Sequence, residues 1–283
     1  MSTFVTPRAV DVAIAESRPR RRRRPGGSWW AWLVLLLAAT FFVVPLIATF
    51  EFSLRPEPPT RAYANVLADD RFFSQLGYSF VAGLITIVLS LALIVPTAYW
   101  VRLRLPRLRP VVEFVTLLPF VLPPIVLAYG LVRFYSRQPL VLTGTEQGSD
   151  LLLIAAYVVL SLPYMYRAVD NGLAAMDVRV MTEAAQSLGA GWGRILWSVI
   201  FPNLRTAALS GAFLTLAIVI GEFTIASALA RDAFGPYLSL LGKDKIYEPA
   251  AVSIIAFALT WLAMVLIAVV GRRGAHVQVV GVR

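Results

Sequence analysis

The chain has 283 residues, of which 58% are apolar and only 15% are charged. A soluble globular domain carries roughly a quarter of charged residues, so the composition excludes that class and indicates a protein embedded largely in a lipid bilayer. There is no cysteine and a single histidine, His276, which excludes disulfides, thiol chemistry and histidine-based metal sites. The formal net charge is +10, and all but two of the 26 basic residues are arginines.

Six apolar stretches are long enough, or nearly so, to cross a bilayer as helices, which takes roughly 20 residues each. They are predicted over residues 29–50, 78–100, 111–134, 151–166, 204–230 and 249–270. The expected fold class is therefore all-α, a polytopic membrane protein with six transmembrane helices. Residues 1–28 form an arginine-rich tail, residues 29–270 the membrane domain and residues 271–283 a second tail.

The distribution of basic residues predicts the orientation of these helices. Assigning the connecting segments alternately to the two sides of the membrane places eighteen Lys and Arg residues on one side and eight on the other. Because the side richer in basic residues is the cytoplasmic one, both termini are expected in the cytoplasm. The run from Arg20 to Arg24 lies beside the first helix, which favours a role in orientation or lipid contact over nucleic-acid binding.

The connection between the fourth and fifth predicted helices, about residues 177–202, is the most informative segment. Asp177 is placed to cap a short helix. The apolar and small residues of that helix recur at the spacing of one helical face: Met181, Ala184, Ala185 and Leu188. Gly189 is expected to end the helix, and a second amphipathic helix is predicted from Trp192 to Pro202.

The same segment contains a motif of fixed spacing. Glu-Ala-Ala is followed after three residues by glycine, and after nine more by an apolar residue, any residue, a second apolar residue and proline. The motif residues are Glu183, Ala184, Ala185, Gly189, Val199, Phe201 and Pro202. This pattern resembles the EAA loop of ATP-binding-cassette importer permeases, which have isoleucine and leucine in place of Val199 and Phe201. The motif lies before the last two predicted helices, and in this respect too the chain looks like a type I importer permease.

The resemblance implies that the motif forms a coupling loop held by a separate ATPase dimer. The sequence contains no GxxxxGK[ST] phosphate-binding loop, so ATP and Mg are expected on the ATPase and no cofactor on this chain. A second permease subunit, an extracytoplasmic substrate-binding protein and the lipids of the bacterial inner membrane complete the expected partners, and nucleic acid is not among them. The chain would then be a non-catalytic subunit forming half of the translocation pathway.

One acidic residue, Glu222, falls inside the fifth predicted helix. An ionisable side chain at membrane depth is costly to bury, so Glu222 is a candidate for the substrate pathway. The alternatives are a bond to an arginine, a hydrogen bond to a neighbouring helix or a position near the outer boundary of the membrane. The stretch Gly221-Glu222-Phe223 and the general run of the chain resemble permeases of the spermidine/putrescine group. A carboxylate favours a cation, so a polyamine is the expected substrate. Iron, thiamine, phosphonate and sulfate, carried by relatives of that group, are the alternatives.

Three competing interpretations make different demands on the sequence. A gradient-driven secondary transporter needs no ATPase, and the EAA spacing argues against it. An amphipathic hairpin lying on the membrane surface does not require the spacing of Glu183, Gly189 and Pro202. A membrane-embedded enzyme needs a cluster of catalytic side chains, and the sequence offers neither that cluster nor a set of metal ligands.

Overall fold

The computed structural model describes residues 29–273, and this part of the chain is built of helices joined by short turns. The helices are α1 (Trp29–Ser53), α2 (Arg61–Leu67), α3 (Asp70–Leu103), α4 (Arg109–Val121), α5 (Pro124–Tyr135), α6 (Glu146–Ala174), α7 (Val178–Ser187), α8 (Trp192–Ile195), α9 (Phe201–Gly221), α10 (Thr224–Ala228), α11 (Phe234–Asp244) and α12 (Glu248–Arg273). A 3-10 turn, Pro106–Leu108, precedes α4, and a π-helical turn, Leu196–Ile200, joins α8 to α9. No strand occurs between residues 29 and 273, which confirms the predicted all-α class.

The predicted tails fall almost entirely outside the described residues. Residues 1–28 lie before α1, and of residues 271–283 only the last turn of α12 is described. The described chain divides into two units, of which the first ends at Ala48 within α1 and the second begins at Thr49. At 1.5 Å per residue, the 25 residues of α1 span about 38 Å, enough to cross a hydrocarbon layer of about 30 Å.

The centre of the second unit is formed by α3, α6 and α9. Small residues let these helices approach closely, as is usual between membrane helices. A Cβ atom added at Gly83 of α3 would lie 2.7 Å from Leu216 Cδ1 of α9, and one added at Gly211 would lie 2.7 Å from Met165 Sδ of α6. A buried hydrogen bond between Ser90 Oγ and Ser161 Oγ, 2.6 Å long, also joins α3 to α6.

Five helices of the described chain are long and apolar enough to cross a membrane, and they confirm five of the six predicted spans. The third predicted span is a broken one. It consists of α4 and α5, which are bent by 96° at a break. Leu122 and Pro123 are extended there, because the chain before each proline avoids the helical conformation and neither Pro123 nor Pro124 has an N–H to donate.

The fifth span also ends earlier than predicted. Its helix, unbroken from Trp192, stops at Gly221, and Glu222 is extended with ψ of 125°. The chain then forms α10 and α11, neither of which was predicted as a separate helix. The backbone N–H of Phe234 at the start of α11 donates to Ser79 Oγ of α3 at 2.9 Å, so α11 packs beside the first half of α3.

Candidate coupling loop and membrane-core site

The segment from Asp177 to Pro202, called here the coupling loop, forms two helical limbs that meet at Gly189. The Asp177 carboxylate accepts a hydrogen bond from Val180 N at 3.1 Å and caps α7, as its position in the sequence predicts. Gly189 has φ of 77°, a left-handed conformation that glycine adopts without strain. Its N–H donates to Gln186 O at 2.9 Å, so the turn ends α7 and redirects the chain towards α8.

The face of α7 that packs on the bundle contains Val178 and Thr182, which are buried. Ala184 and Leu188 are exposed, Leu188 to 88%. The Thr182 hydroxyl donates to Val178 O and lies 3.0 Å from the Tyr99 hydroxyl of α3, so this small polar residue is satisfied inside the bundle.

The motif residues of the first limb lie largely on the exposed surface of α7 and its turn. Glu183 and Ala184 are exposed, Ala185 is half-buried, and Gly189 is exposed at the turn. Glu183 Oε1 accepts a hydrogen bond from Arg179 Nε at 2.8 Å, and both side chains are largely in solvent. The limb thus presents a charged pair and small residues outward, a surface that another protein can approach closely.

The motif residues of the second limb lie where α8 passes through the π-helical turn into α9. Val199, Phe201 and Pro202 are half-buried. Pro202 directly follows the π-helical turn Leu196–Ile200, within the helix that runs unbroken from Trp192 to Gly221. A π-helical turn and a proline are both common where a helix bends without ending. The second predicted helix therefore does not end at Pro202 and runs on as α9.

Glu222, the candidate for the substrate pathway, is 8% exposed, and both of its carboxylate oxygens have hydrogen-bond partners. Oε1 accepts from Ile225 N at 2.8 Å, and Oε2 accepts from Ala226 N at 3.1 Å and from the Tyr157 hydroxyl at 3.3 Å. These bonds satisfy the free N–H groups at the start of α10 and tie it to α6. The carboxylate acts as the cap of a helix, which is the structural alternative to a pathway role.

A cavity of about 500 Å³ separates the two helix breaks. The break between α4 and α5 contributes Leu122 and Pro123, the break between α9 and α10 contributes Glu222 and Phe223, and Tyr164 of α6 adds a hydroxyl. Interrupted helices in transport proteins commonly surround the solute path. The lining here is mostly apolar, with few polar groups to select one solute over another.

An ion cluster that the sequence did not reveal joins α3, α6 and the turn before α11. Arg231 Nε lies 2.7 Å from Asp150 Oδ1, and the Tyr78 hydroxyl donates to that same oxygen. The guanidinium also lies over the ring of Tyr78, 5.8 Å from its centre. The three residues are far apart in sequence, so only the folded bundle brings them together.

A second ion cluster lies at the end of the bundle that contains the coupling loop. Asp170 of α6 accepts a hydrogen bond from Arg109 Nη2 at 3.0 Å and pairs with Arg102 Nη2 at 3.8 Å. Arg109 also binds Glu113 at 2.8 Å. The cluster fixes the ends of α3, α4 and α6 relative to one another. Within residues 29–273, no group of three or more His, Cys, Asp or Glu side chains is arranged to hold a metal ion.

Comparison with known proteins places this architecture among transport proteins. Residues 93–274 match the family model described as "Binding-protein-dependent transport system inner membrane component". The chain is 33% identical over 148 residues to the molybdenum transport system permease protein ModB of Azotobacter vinelandii, which covers 50% of this chain and 65% of that protein. ModB of Mycobacterium tuberculosis is 30% identical over 184 residues, covering 61% and 67%.

A probable sulfate transport system permease protein, cysT of Chlorokybus atmophyticus, is 30% identical over 154 residues, which is 52% of either chain. The chain thus spans less than two thirds of the A. vinelandii and C. atmophyticus relatives. Among solved structures, a bacterial ABC transporter that imports the acidic polysaccharide alginate gives a TM-score of 0.67 at 14% identity, covering 87% of this chain and 96% of that one. The inward-facing MetNI methionine ABC transporter gives 0.52 at 22% identity, covering 71% and 91%. At such identities the likeness shows the fold alone.

Proposed function

Because the chain belongs to the family of binding-protein-dependent transport system inner membrane components, we propose that it couples ATP hydrolysis by a partner to the uptake of a tetrahedral oxyanion, molybdate or sulfate. The family makes the chain a multi-pass permease subunit of the inner membrane. The proposal adds the substrate, the residues that contact the ATPase and the composition of the complex. The observation that carries it is an exposed coupling loop on a bundle whose relatives include molybdenum and sulfate permeases.

An oxyanion replaces the polyamine expected from the Gly-Glu-Phe stretch. The polyamine expectation depended on a free carboxylate at Glu222 attracting a cation, and both oxygens of that carboxylate accept hydrogen bonds from the protein. A carboxylate at a helix N-terminus has part of its charge offset, so it recruits a cation less strongly than a free carboxylate does. The relatives named for molybdenum and sulfate support the same choice.

The coupling contact with the ATPase is assigned to the seven motif residues. Glu183, Ala184 and Gly189 form the exposed contact surface. The other four residues hold that surface in place: Ala185, Val199, Phe201 and Pro202. Glu183 is the group that can exchange its partner Arg179 for a cation of the ATPase, because an exposed ion pair on one helix contributes little stability of its own.

The proposed complex contains this chain, a second permease subunit, an ATPase dimer that binds ATP and Mg, and an extracytoplasmic binding protein that delivers the oxyanion. Both chain termini lie on the ATPase side in this arrangement, as the arginine distribution predicts. The cavity between the two helix breaks belongs to the half of the pathway that this chain supplies.

The test is to purify the chain from its own membranes in mild detergent, identify the proteins that copurify, and reconstitute them with the binding protein of the same cells. ATP hydrolysis is then measured with equal concentrations of molybdate, sulfate or spermidine. We expect an ATPase to copurify and one of the two oxyanions to stimulate it. Stimulation by spermidine alone would overturn the oxyanion assignment, and the lack of any ATPase would favour a gradient-driven transporter.

A further inference from the structure

The coupling loop is bonded to α3, a helix from which it is separated by about 80 residues. The hydroxyl of Tyr99, near the end of α3, lies 3.0 Å from Thr182 Oγ1 of α7. Thr182 Oγ1 also lies 2.6 Å from Val178 O, to which it donates its only proton. Tyr99 is therefore the donor in the first bond. Both residues are at most 2% exposed, so water does not compete for this bond.

A second contact joins α3 to the other limb of the loop. The rings of Trp100 and Trp192 lie 4.9 Å apart, and Tyr99 packs edge-on against Trp192 with ring centres 6.3 Å apart. The guanidinium of Arg104 lies 4.8 Å from the centre of the Trp192 ring and 5.6 Å from that of Trp100. A cation over two indole rings is an attractive arrangement, and here it spans α3 and α8.

The covalent path from the loop into α9 is built differently. It passes through the π-helical turn Leu196–Ile200 and then Pro202, a helix irregularity of the kind found where helices bend. In α3, by contrast, the residues after Pro96 continue as helix to Leu103. This end of α3 contacts both limbs of the loop. Pro96 marks a point at which that end can tilt against the rest of α3.

We propose that the end of α3 from Tyr99 to Arg104 is part of the coupling element, moving as one body with α7 and α8 and carrying their displacement into the bundle. This inference rests on the proposed function, since it needs an ATPase to move the loop. Tyr99, Trp100 and Arg104 are positioning residues: the ATPase touches the loop, and these side chains transmit its movement to α3. The opposite end of α3 is held separately, because Tyr237 of α11 donates to its N-cap residue Asp69 at 2.9 Å.

Spin-label distances in the complete complex test the shared movement. This chain has no cysteine, so within it labels attach only at the introduced sites, and the partner proteins are used as cysteine-free variants. The first pair, Leu105→Cys with Gly193→Cys, spans the contact between α3 and α8; Leu105 is 47% exposed, and a side chain at position 193 meets nothing within 4 Å. The second pair, Leu151→Cys with Gly193→Cys, reaches from the loop to the exposed start of α6. Distances are measured without nucleotide and after trapping with ATP and vanadate.

We expect the distance of the first pair to stay the same in both states and that of the second pair to change. A change in the first pair would overturn the proposal, because α3 and the loop would then move separately. Constancy of both pairs would instead contradict the proposed function, since the loop would not respond to the ATPase at all. The failures of the two proposals are therefore distinguishable.

Variants of the contact supply a second test that a purely structural role would not satisfy. In the double variant Tyr99→Phe with Arg104→Gln, we expect the distribution of distances for the first label pair to broaden after trapping. We also expect the amount of oxyanion transported per ATP hydrolysed to fall at least fivefold. Arg104→Lys in the Tyr99→Phe background keeps a cation at this position. We expect that variant to recover most of the oxyanion transported per ATP hydrolysed. Arg107→Gln, an exposed arginine of the same connection, is the matched control and should leave the ratio unchanged. An unchanged ratio in the double variant would contradict the proposal.

Discussion

The coupling loop and the membrane core each contain a glutamate that the sequence singles out, and their surroundings are opposite. Glu183 is exposed on α7 and, among the residues that the structure describes, pairs with Arg179 of the same helix. Glu222 is 8% exposed and bonded to two backbone N–H groups and a tyrosine. The difference teaches that the cost of burying a carboxylate does not by itself indicate a substrate site. The carboxylate whose bonds are easily exchanged is the one available to a partner.

The largest effect on stability is expected from removing the buried carboxylate of Glu222. Glu222→Ala leaves Ile225 N, Ala226 N and the Tyr157 hydroxyl without their acceptor, at a cost on the order of 3 kcal/mol. The thermal midpoint of the purified complex should fall clearly in this variant. Glu222→Gln keeps one carbonyl oxygen as an acceptor, so its thermal midpoint should fall less. A midpoint equal to that of the natural protein, combined with altered substrate preference, would restore the pathway role of Glu222.

The two regions also differ in how tightly their glycines are packed. Gly211→Ala places a methyl group 2.7 Å from Met165 Sδ and 3.2 Å from Ala168 Cβ, which should destabilise the complex by about 1–3 kcal/mol. Gly193→Ala in the coupling loop meets nothing within 4 Å and serves as the control. Thermal unfolding followed by circular dichroism compares them. Equal midpoints for the two variants would show that the crossing of α6 and α9 can relax.

A smaller effect is expected where α11 meets α3. The pKa of the Tyr237 hydroxyl is raised by burial and by its hydrogen bond to Asp69, 2.9 Å long, so this tyrosine stays protonated and donates at neutral pH. Since the folded protein holds the proton more tightly, the stabilisation is complete below the unfolded pKa, about 10, and is lost as the pH rises beyond it. Tyr237→Phe should cost about 1 kcal/mol at pH 7 and less above pH 10. A pH-independent difference would contradict this.

The smallest effect is expected at the exposed ion pair. Arg179→Ala removes the bond to Glu183, and because both side chains lie in solvent the thermal midpoint should not change measurably. Differential scanning fluorimetry at low and moderate salt checks this expectation. A salt-dependent loss of stability would mean that the pair supports α7 and is not free to exchange partners.

The sequence predicted the features that local pattern determines. Apolar length located five spans, and Asp177 and Gly189 located the ends of α7. It did not predict the tertiary contacts of the loop. Thr182 of α7 is buried against Tyr99 of α3, and the apolar pattern of α7 contains no sign of that partner.

The breaks in the third and fifth spans have a local cause that is visible in the sequence. Pro123 and Pro124 stand side by side in the third span, and a pair of prolines breaks a helix more strongly than the single prolines of the other spans. The backbone N–H of Ile225, three residues after Glu222, donates to the Glu222 carboxylate. This spacing is typical of a residue that caps the start of a helix. The cluster of Tyr78, Asp150 and Arg231 has no such signal, because its members come from three distant segments.

The most direct measurement compares Glu183→Gln with Glu222→Gln in the same reconstituted complex, recording both the thermal midpoint and the binding-protein-stimulated ATP hydrolysis per folded complex. We predict that Glu183→Gln keeps the natural midpoint and loses most of the stimulated hydrolysis. Glu222→Gln should lower the midpoint and keep stimulated hydrolysis in the fraction that remains folded. The reverse result, with Glu183→Gln fully coupled and Glu222→Gln stable and uncoupled, would contradict the roles assigned to the two carboxylates.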